Sequence, residues 1–171
     1  ALKEQIEKRI RWDWNQRCKA HLGIESDGSW DEGLIAFGTT LLCCCGNDRG
    51  LLGFQLGDGD MVYSQDGTHQ FLFAESAELM GTVTHSLCQP YKHNQSMLTW
   101  VERKDFEVVF LTTDGLRDCM QGDRKHFKTV IPWIQKIILE NPDFLPTWLQ
   151  KISTQGNGDD ISIALYSPHS L

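Results

Sequence analysis

The sequence predicts an α+β protein whose core consists of two mainly antiparallel β-sheets flanked by helices. A helical pattern opens the chain, short apolar runs separated by turns follow, and two further helical patterns precede a last strand. Hairpin-type turns produce antiparallel sheets, and the helices must then cover the sheet faces. The chain has 171 residues, of which 40% are apolar. This suits one globular core, so we predict a single domain over residues 1–171.

The first predicted element is an amphipathic helix. Apolar residues recur every four positions through residues 2–22. Glu4 with Lys8, and Glu7 with Arg11, have the spacing of helical ion pairs, and we expect both pairs on the exposed side. The sequence begins inside this pattern without a helix start signal, which favours a chain that belongs to something longer.

A polar loop and a β-rich block follow the first helix. Glycine-flanked polar residues predict a surface loop over residues 23–33. From Ile35 onward we predict a meander of strands, with turns at residues 46–50 and 65–67. Its strands are predicted at the apolar runs 37–45, 52–56, 61–63 and 71–73. Residues 74–104 lack clean periodicity and predict a loop with one short element at most.

The last third of the chain predicts a strand, two helices and a final strand. The apolar run 106–113 is typical of a buried strand, and 161–166 alternates like a half-buried one. Helical patterns cover residues 127–140 and 143–153. Asn141-Pro142 separates them because the residue before proline resists the helical conformation.

Composition excludes several functions. The net charge is −7 and no long run of lysine or arginine occurs, which argues against nucleic-acid partners and against binding to a membrane surface. The longest uncharged apolar run, residues 34–45, is too short to span a bilayer. The six cysteines include no C-x-x-C pair. We interpret them as reduced thiols, which predicts a cytoplasmic protein.

Three strand-like runs end in an aspartate beside glycine, at Asp58, Asp114 and Asp159. Carboxylates on strand ends can converge, and their mutual repulsion is relieved by a hard divalent cation. The signal of each motif alone is small because Asp-Gly is a common turn dipeptide, and we interpret Asp66-Gly67 as such a turn. Together the three runs predict a magnesium- or manganese-type site.

Four segments of the sequence, taken in order, resemble motifs of one enzyme family. Residues 37–42, 55–60, 113–118 and 159–162 resemble motifs of the metal-dependent serine/threonine protein phosphatases, the type 2C or PPM family, and the compact bacterial members most. The resemblance implies an αββα sandwich with a centre for two Mg²⁺ or Mn²⁺ ions. It also implies hydrolysis of phosphoserine or phosphothreonine in protein substrates by a metal-activated water.

The same resemblance assigns roles to four aspartates. It implies that Asp114 and Asp159 are the catalytic metal ligands, and that Asp58 and Asp118 occupy acidic positions that can hold an additional, weaker metal. The family's N-terminal segment, with its first acidic strand and its metal-bridging aspartate, has no counterpart before residue 2. We therefore expect an N-terminally incomplete domain and some self-association through an exposed sheet edge.

Two other functions stay open at this point. A phosphatase-fold module that binds or regulates without catalysis would explain the missing ligands. A calcium-dependent, β-rich adhesion or sugar-binding module would also use acidic loops, although no secretory signal is visible and the cysteines suggest reduced thiols.

Overall fold

The computed structural model describes residues 2–24, 32–74, 84–92, 95–102, 106–120 and 124–167. Within these residues a helix opens the chain, a run of strands follows, and further helices precede the last strand. They are α1 (Leu2–Leu22), a 3-10 helix (Glu32–Phe37), β1 (Leu41–Asn47), β2 (Gly50–Leu56), β3 (Asp60–Gln65), β4 (Thr68–Phe71), β5 (Ser96–Glu102), β6 (Phe106–Thr112), α2 (Asp114–Asp118), α3 (Arg124–Glu140), α4 (Phe144–Gln155) and β7 (Ile163–Tyr166).

The strands form two sheets. One has three strands in the order β1-β2-β5, and the other has four strands in the order β4-β3-β6-β7. Every neighbouring pair in the four-stranded sheet is antiparallel. The predicted α+β class, with two antiparallel sheets and helices, is confirmed.

The chain divides into two compact units. The first comprises Ala1–Cys45, Leu52–Asp58 and Glu75–Trp100, and the second comprises Gly46–Leu51, Gly59–Ala74 and Val101–Leu171. The first unit holds α1 and most of the three-stranded sheet. The second holds the four-stranded sheet and helices α2 to α4. The single domain over residues 1–171 stays a prediction.

In the first unit α1 packs on the apolar side chains of β2. Ile6, Ile10 and Trp14 contact a cluster built around Phe54 and Leu56. The ends of the predicted apolar stripe do not take part, because Leu2 is 60% exposed and Leu22 is 42% exposed. The apolar stripe of α1 therefore packs on the sheet through the middle turns of the helix.

The expected exposure of the helical ion pairs holds for one pair and is wrong for the other. Lys8 Nζ lies 2.7 Å from Glu4 Oε1 at the surface. Glu7 and Arg11 also pair, at 2.9 Å, but their side chains are only 1% and 4% exposed. Burial is tolerated because the Arg11 guanidinium also donates to the carbonyl of Ser86 at 2.6 Å, among other acceptors. A buried charge is stable when its donors are satisfied in this way.

The second unit is built on the β3–β4 hairpin and on β6. Residues Gln65 and Thr68 pair across a two-residue turn in which Asp66 has φ 51° and Gly67 has φ 69°. Both values suit the left-handed turns that join twisted strands, so the turn interpretation of this Asp-Gly is confirmed. Helix α3 covers the sheet with a buried core of Val62, Phe110, Leu116, Phe127, Ile131 and Ile134.

Several predicted boundaries are wrong. Residue 37, predicted to begin a strand, ends the 3-10 helix, and β5 is a seven-residue strand where a loop with one short element at most was expected. Strand β2 is buried on both faces, since Leu51 and Leu56 are each 0% exposed. The predicted loop at 23–33 lies mostly outside the described residues. None of the described helices is both long and apolar enough to cross a membrane.

Candidate active site

Asp114 lies where β6 ends and the five-residue helix α2 begins. Thr113 is still extended, with φ −64° and ψ 158°, and the chain turns helical at the next residue. The Asp114 carboxylate accepts a hydrogen bond from the Gly115 amide at 3.0 Å and is partly exposed. The strand end therefore presents a carboxylate whose orientation is held by the backbone that follows it.

Asp159 lies in the loop between α4 and β7. Gly158 has φ 79°, a conformation that favours glycine, and this turn leads into the two exposed aspartates. The amide of Asp159 donates to Asn157 Oδ1 at 3.1 Å, and Asp159 Oδ1 accepts from the amide of Asp160 at 2.9 Å. Ser153 Oγ donates to the Asp159 carbonyl at 2.7 Å, which ties the loop to α4.

Thr113 joins the two strand ends. Its amide donates to the carbonyl of Ser162 at 3.1 Å, and its side-chain oxygen accepts from the Ser162 amide at 3.0 Å. The same hydroxyl donates to the carbonyl of Asp160 at 3.1 Å. Thr113, the residue before Asp114, is therefore hydrogen-bonded to both Asp160 and Ser162 in the segment that follows Asp159.

Gly115 packs the start of α2 against the loop that holds Asp159 and Asp160. A Cβ atom at this position would lie 2.7 Å from the carbonyl oxygen of Asp160 and 3.4 Å from Cβ of Asp159. Only a residue without a side chain allows this approach. Sequence reasoning predicted that Asp58, Asp114 and Asp159 converge. The structure brings the residue after Asp114 against the loop that holds Asp159, whereas Asp58 belongs to the other compact unit. The convergence of the carboxylates stays a prediction.

The other two predicted ligands lie in different surroundings. Asp118 ends α2, one helical turn after Asp114, with a side chain that is 41% exposed and 3.7 Å from Arg117 Nε. Asp58 belongs to the first compact unit, where its partly buried carboxylate accepts a hydrogen bond from the Thr84 hydroxyl.

Sequence reasoning missed the most deeply buried carboxylate of this region. Asp60 begins β3, is 0% exposed and pairs with two arginines, Arg117 and Arg124. A weak signal existed, because Asp60 lies in the same motif as Asp58. Its partners are 57 and 64 residues away in sequence, so no local pattern identifies them.

An open hollow adjoins Asp159. Its volume is about 400 Å³, and α4 forms one wall with Leu145, Leu149 and Ser153 while Asp159 and Ile161 form part of the other. Half of its lining residues are apolar and half are polar, and both Asp159 and Asp160 belong to the lining. The hollow therefore leaves space for a ligand beside these two residues.

The donor set fits a hard divalent cation. Mg²⁺ is usually bound by one or two carboxylates together with water and substrate phosphate. Asp114 and Asp159 offer two carboxylates, and Gly115, the residue after Asp114, packs against the loop that holds Asp159. Among the described residues, no group of three or more histidines, cysteines, aspartates or glutamates could hold a metal ion. Within that part of the chain, these residues do not form a complete two-metal ligand set.

Comparisons with known proteins show the family. The sequence profile of Protein phosphatase 2C matches residues 1–152, so the chain belongs to the protein phosphatase 2C family. This confirms the resemblance to that phosphatase family. A comparison with curated proteins finds no match.

Solved structures show the same fold. A bacterial serine phosphatase aligns over 95% of this chain with a TM-score of 0.60 and 14% identity. An arginine-to-alanine variant of a bacterial serine phosphatase aligns over 77% of this chain with a TM-score of 0.54 and 14% identity. The aligned region spans 67% of the first structure and 54% of the second. At this identity the two structures establish the fold only.

Proposed function

We propose that the protein is a Mg²⁺- or Mn²⁺-dependent phosphatase that hydrolyses phosphoserine and phosphothreonine in protein substrates. One observation carries the proposal: in a chain of this family, Gly115, the residue that follows Asp114, packs against Asp159 and Asp160. Two carboxylates brought together at strand ends repel each other unless a cation lies between them. A cation held by these carboxylates can also bind a phosphate group, which is the group that a phosphatase removes.

The four predicted site aspartates have different roles in this proposal. Asp114 and Asp159 hold the cation, and Asp118 and Asp58 supply further acidic positions, including one for a weaker additional metal. When bound, the cation would lower the pKa of a water molecule and stabilise negative charge on the transferring phosphoryl group. The hydrogen bonds of Thr113 hold the loop in place before substrate arrives, so the carboxylates need little rearrangement.

Exposure of the site agrees with a protein substrate. Asp159 and Asp118 are exposed, and the neighbouring hollow is open to solvent. A phosphorylated side chain on a protein surface can approach only a site of this kind. A cytoplasmic location and self-association through a sheet edge stay predictions.

The test is hydrolysis of para-nitrophenyl phosphate and of a phosphothreonine peptide, with and without Mn²⁺. It compares this chain with a longer form that carries the N-terminal segment expected from the family. We expect Mn²⁺-dependent turnover that falls by about 100-fold or more in Asp114→Asn, since groups that merely support a ligand already account for 10-fold to 100-fold effects. The matched control Asp66→Asn removes a carboxylate from the hairpin turn and should change nothing.

Two results would contradict the proposal. Retained turnover in Asp114→Asn would remove Asp114 from the centre. Absence of metal-dependent turnover in both forms, with retained phosphopeptide binding, would favour the non-catalytic binding module instead.

A further inference from the structure

A fully buried carboxylate lies between two arginines in the second compact unit. Asp60 is 0% exposed, and its Oδ2 accepts from Arg117 Nη1 at 2.9 Å. Its Oδ1 accepts from Arg124 Nη2 at 2.9 Å and from Arg124 Nε at 3.1 Å. Each arginine side chain is 15% exposed. Charge-assisted hydrogen bonds in such a setting are strong and directional.

The carboxylate connects the sheet to the helix that carries Asp114. Asp60 is the first residue of β3 and pairs with Thr112, the last residue of β6. Two residues after Thr112 the chain reaches Asp114, and Arg117 follows one turn later in α2. The Arg117 side chain therefore extends from α2 to β3, which is the neighbour of β6, the strand that leads into Asp114.

Helix α2 needs such an anchor. It has five residues, far fewer than a helix needs to be stable alone, and Thr113 makes no side-chain hydrogen bond that caps it. Leu116 is 0% exposed and holds one side of α2 in the apolar core. The close approach of Gly115 to the carbonyl of Asp160 holds a second side of α2. The directional bond from Arg117 to Asp60 adds a third contact, which ties α2 to the sheet.

Arg124 has a different position. It begins α3, where it also donates to the carbonyl of Phe73 at 3.1 Å and lies over the ring of Phe71 at 4.3 Å. It neutralises the same carboxylate as Arg117 but lies on a different helix. The two arginines thus pair with the same carboxylate and are equally exposed to solvent. They differ in the helix to which they belong, since Arg117 lies in α2 and Arg124 in α3.

We propose that Arg117 and Asp60 form a positioning pair that orients Asp114 and thereby sets the affinity of the site for its divalent cation. This inference rests on the proposed function. The pair is not itself a ligand of the proposed cation and acts by holding the first turn of α2, although Arg117 Nε also lies 3.7 Å from Asp118 Oδ1. Groups that orient metal ligands in this way typically contribute about 10-fold to 100-fold to metal affinity.

The test compares Arg117→Met with Arg124→Met in the full chain. Each variant removes one arginine from Asp60 and keeps the aliphatic part of the side chain, so both should lower the melting temperature. Amide hydrogen exchange of residues 113–118 and Mn²⁺ binding by electron paramagnetic resonance are then measured. We expect Arg117→Met alone to speed exchange in this segment and to weaken Mn²⁺ binding by about 10-fold or more. Arg117→Lys should restore part of the Mn²⁺ affinity.

The outcomes separate the inference from the proposed function. Equal effects of the two methionine variants on exchange and on Mn²⁺ affinity, or unchanged exchange in Arg117→Met, would overturn the positioning role. Absence of Mn²⁺ binding by the unsubstituted chain would instead contradict the proposed function. In that case, faster amide hydrogen exchange of residues 113–118 in Arg117→Met alone would still show that the Arg117–Asp60 pair stabilises α2.

Discussion

Replacing Gly115 with alanine should separate the two strand ends that form the candidate metal site. The new Cβ would lie 2.7 Å from the carbonyl oxygen of Asp160, a backbone atom that cannot rotate away. Non-bonded heavy atoms are at their optimum near about 3.5 Å, so the segments must move apart by about 0.8 Å to reach it. Such overpacking costs about 1–3 kcal/mol.

Part of that cost is offset, because alanine is about 1 kcal/mol more favourable than glycine inside a helix. The net loss of unfolding free energy should therefore be about 0–2 kcal/mol, a small change for a folded domain. The effect on the site should be larger. Functional geometry must be held within about 0.5 Å, and the displacement is larger than that. We expect the Mn²⁺ affinity of Gly115→Ala to fall by about 10-fold.

Calorimetric titration with Mn²⁺ and urea unfolding measure the two effects separately. Gly67→Ala is the matched control, since Gly67 has φ 69° and a Cβ atom added there would meet nothing within 4 Å. It should lose about 1 kcal/mol through left-handed strain and keep its Mn²⁺ affinity. The reasoning is refuted if Gly115→Ala binds Mn²⁺ as the unsubstituted chain does.

Three further predictions concern stability and thiol chemistry. Burial lowers the pKa of His69, so the unfolded state binds the proton more readily and stability should fall as the pH drops below about 6.5; urea midpoints of His69→Asn should lose this part of the pH dependence. Arg11→Met leaves a buried carboxylate without its main partner and should cost about 3–5 kcal/mol in urea unfolding, whereas a loss below about 1 kcal/mol would contradict the buried network. Burial raises the pKa of Cys44, so mass spectrometry should find the exposed Cys43 and Cys45 alkylated by iodoacetamide first, and equal rates would count against this.

Local sequence patterns predicted the features that local chemistry determines. The spacing of apolar residues identified α1, and the Asp-Gly pairs marked the end of β6 and the turn after β3. Asp114 and Asp159 could be grouped because strand ends are natural places for convergent side chains. These inferences depend on a few neighbouring residues each.

Features that depend on distant residues escaped prediction. The spacing of Glu7 and Arg11 predicts an ion pair but not its burial, which follows from acceptors such as Ser86 that lie 75 residues away from Arg11. The role of Asp60 depends on Arg117, which is 57 residues away. Strand β5 contains Ser96 and alternates weakly between buried and exposed residues, so it gave little periodic signal.

The central claim is that Asp114 and Asp159 bind one cation together. Mn²⁺ binding measured by electron paramagnetic resonance for the unsubstituted chain, Asp114→Asn, Asp159→Asn and the double variant tests it most directly, with Asp66→Asn as the control. Ligands of one ion are coupled, so each single change should weaken binding by about 10-fold or more and the double change should fall short of the product of the two. Binding equal to that of the unsubstituted chain in either single variant, or fully independent effects, would contradict a shared site.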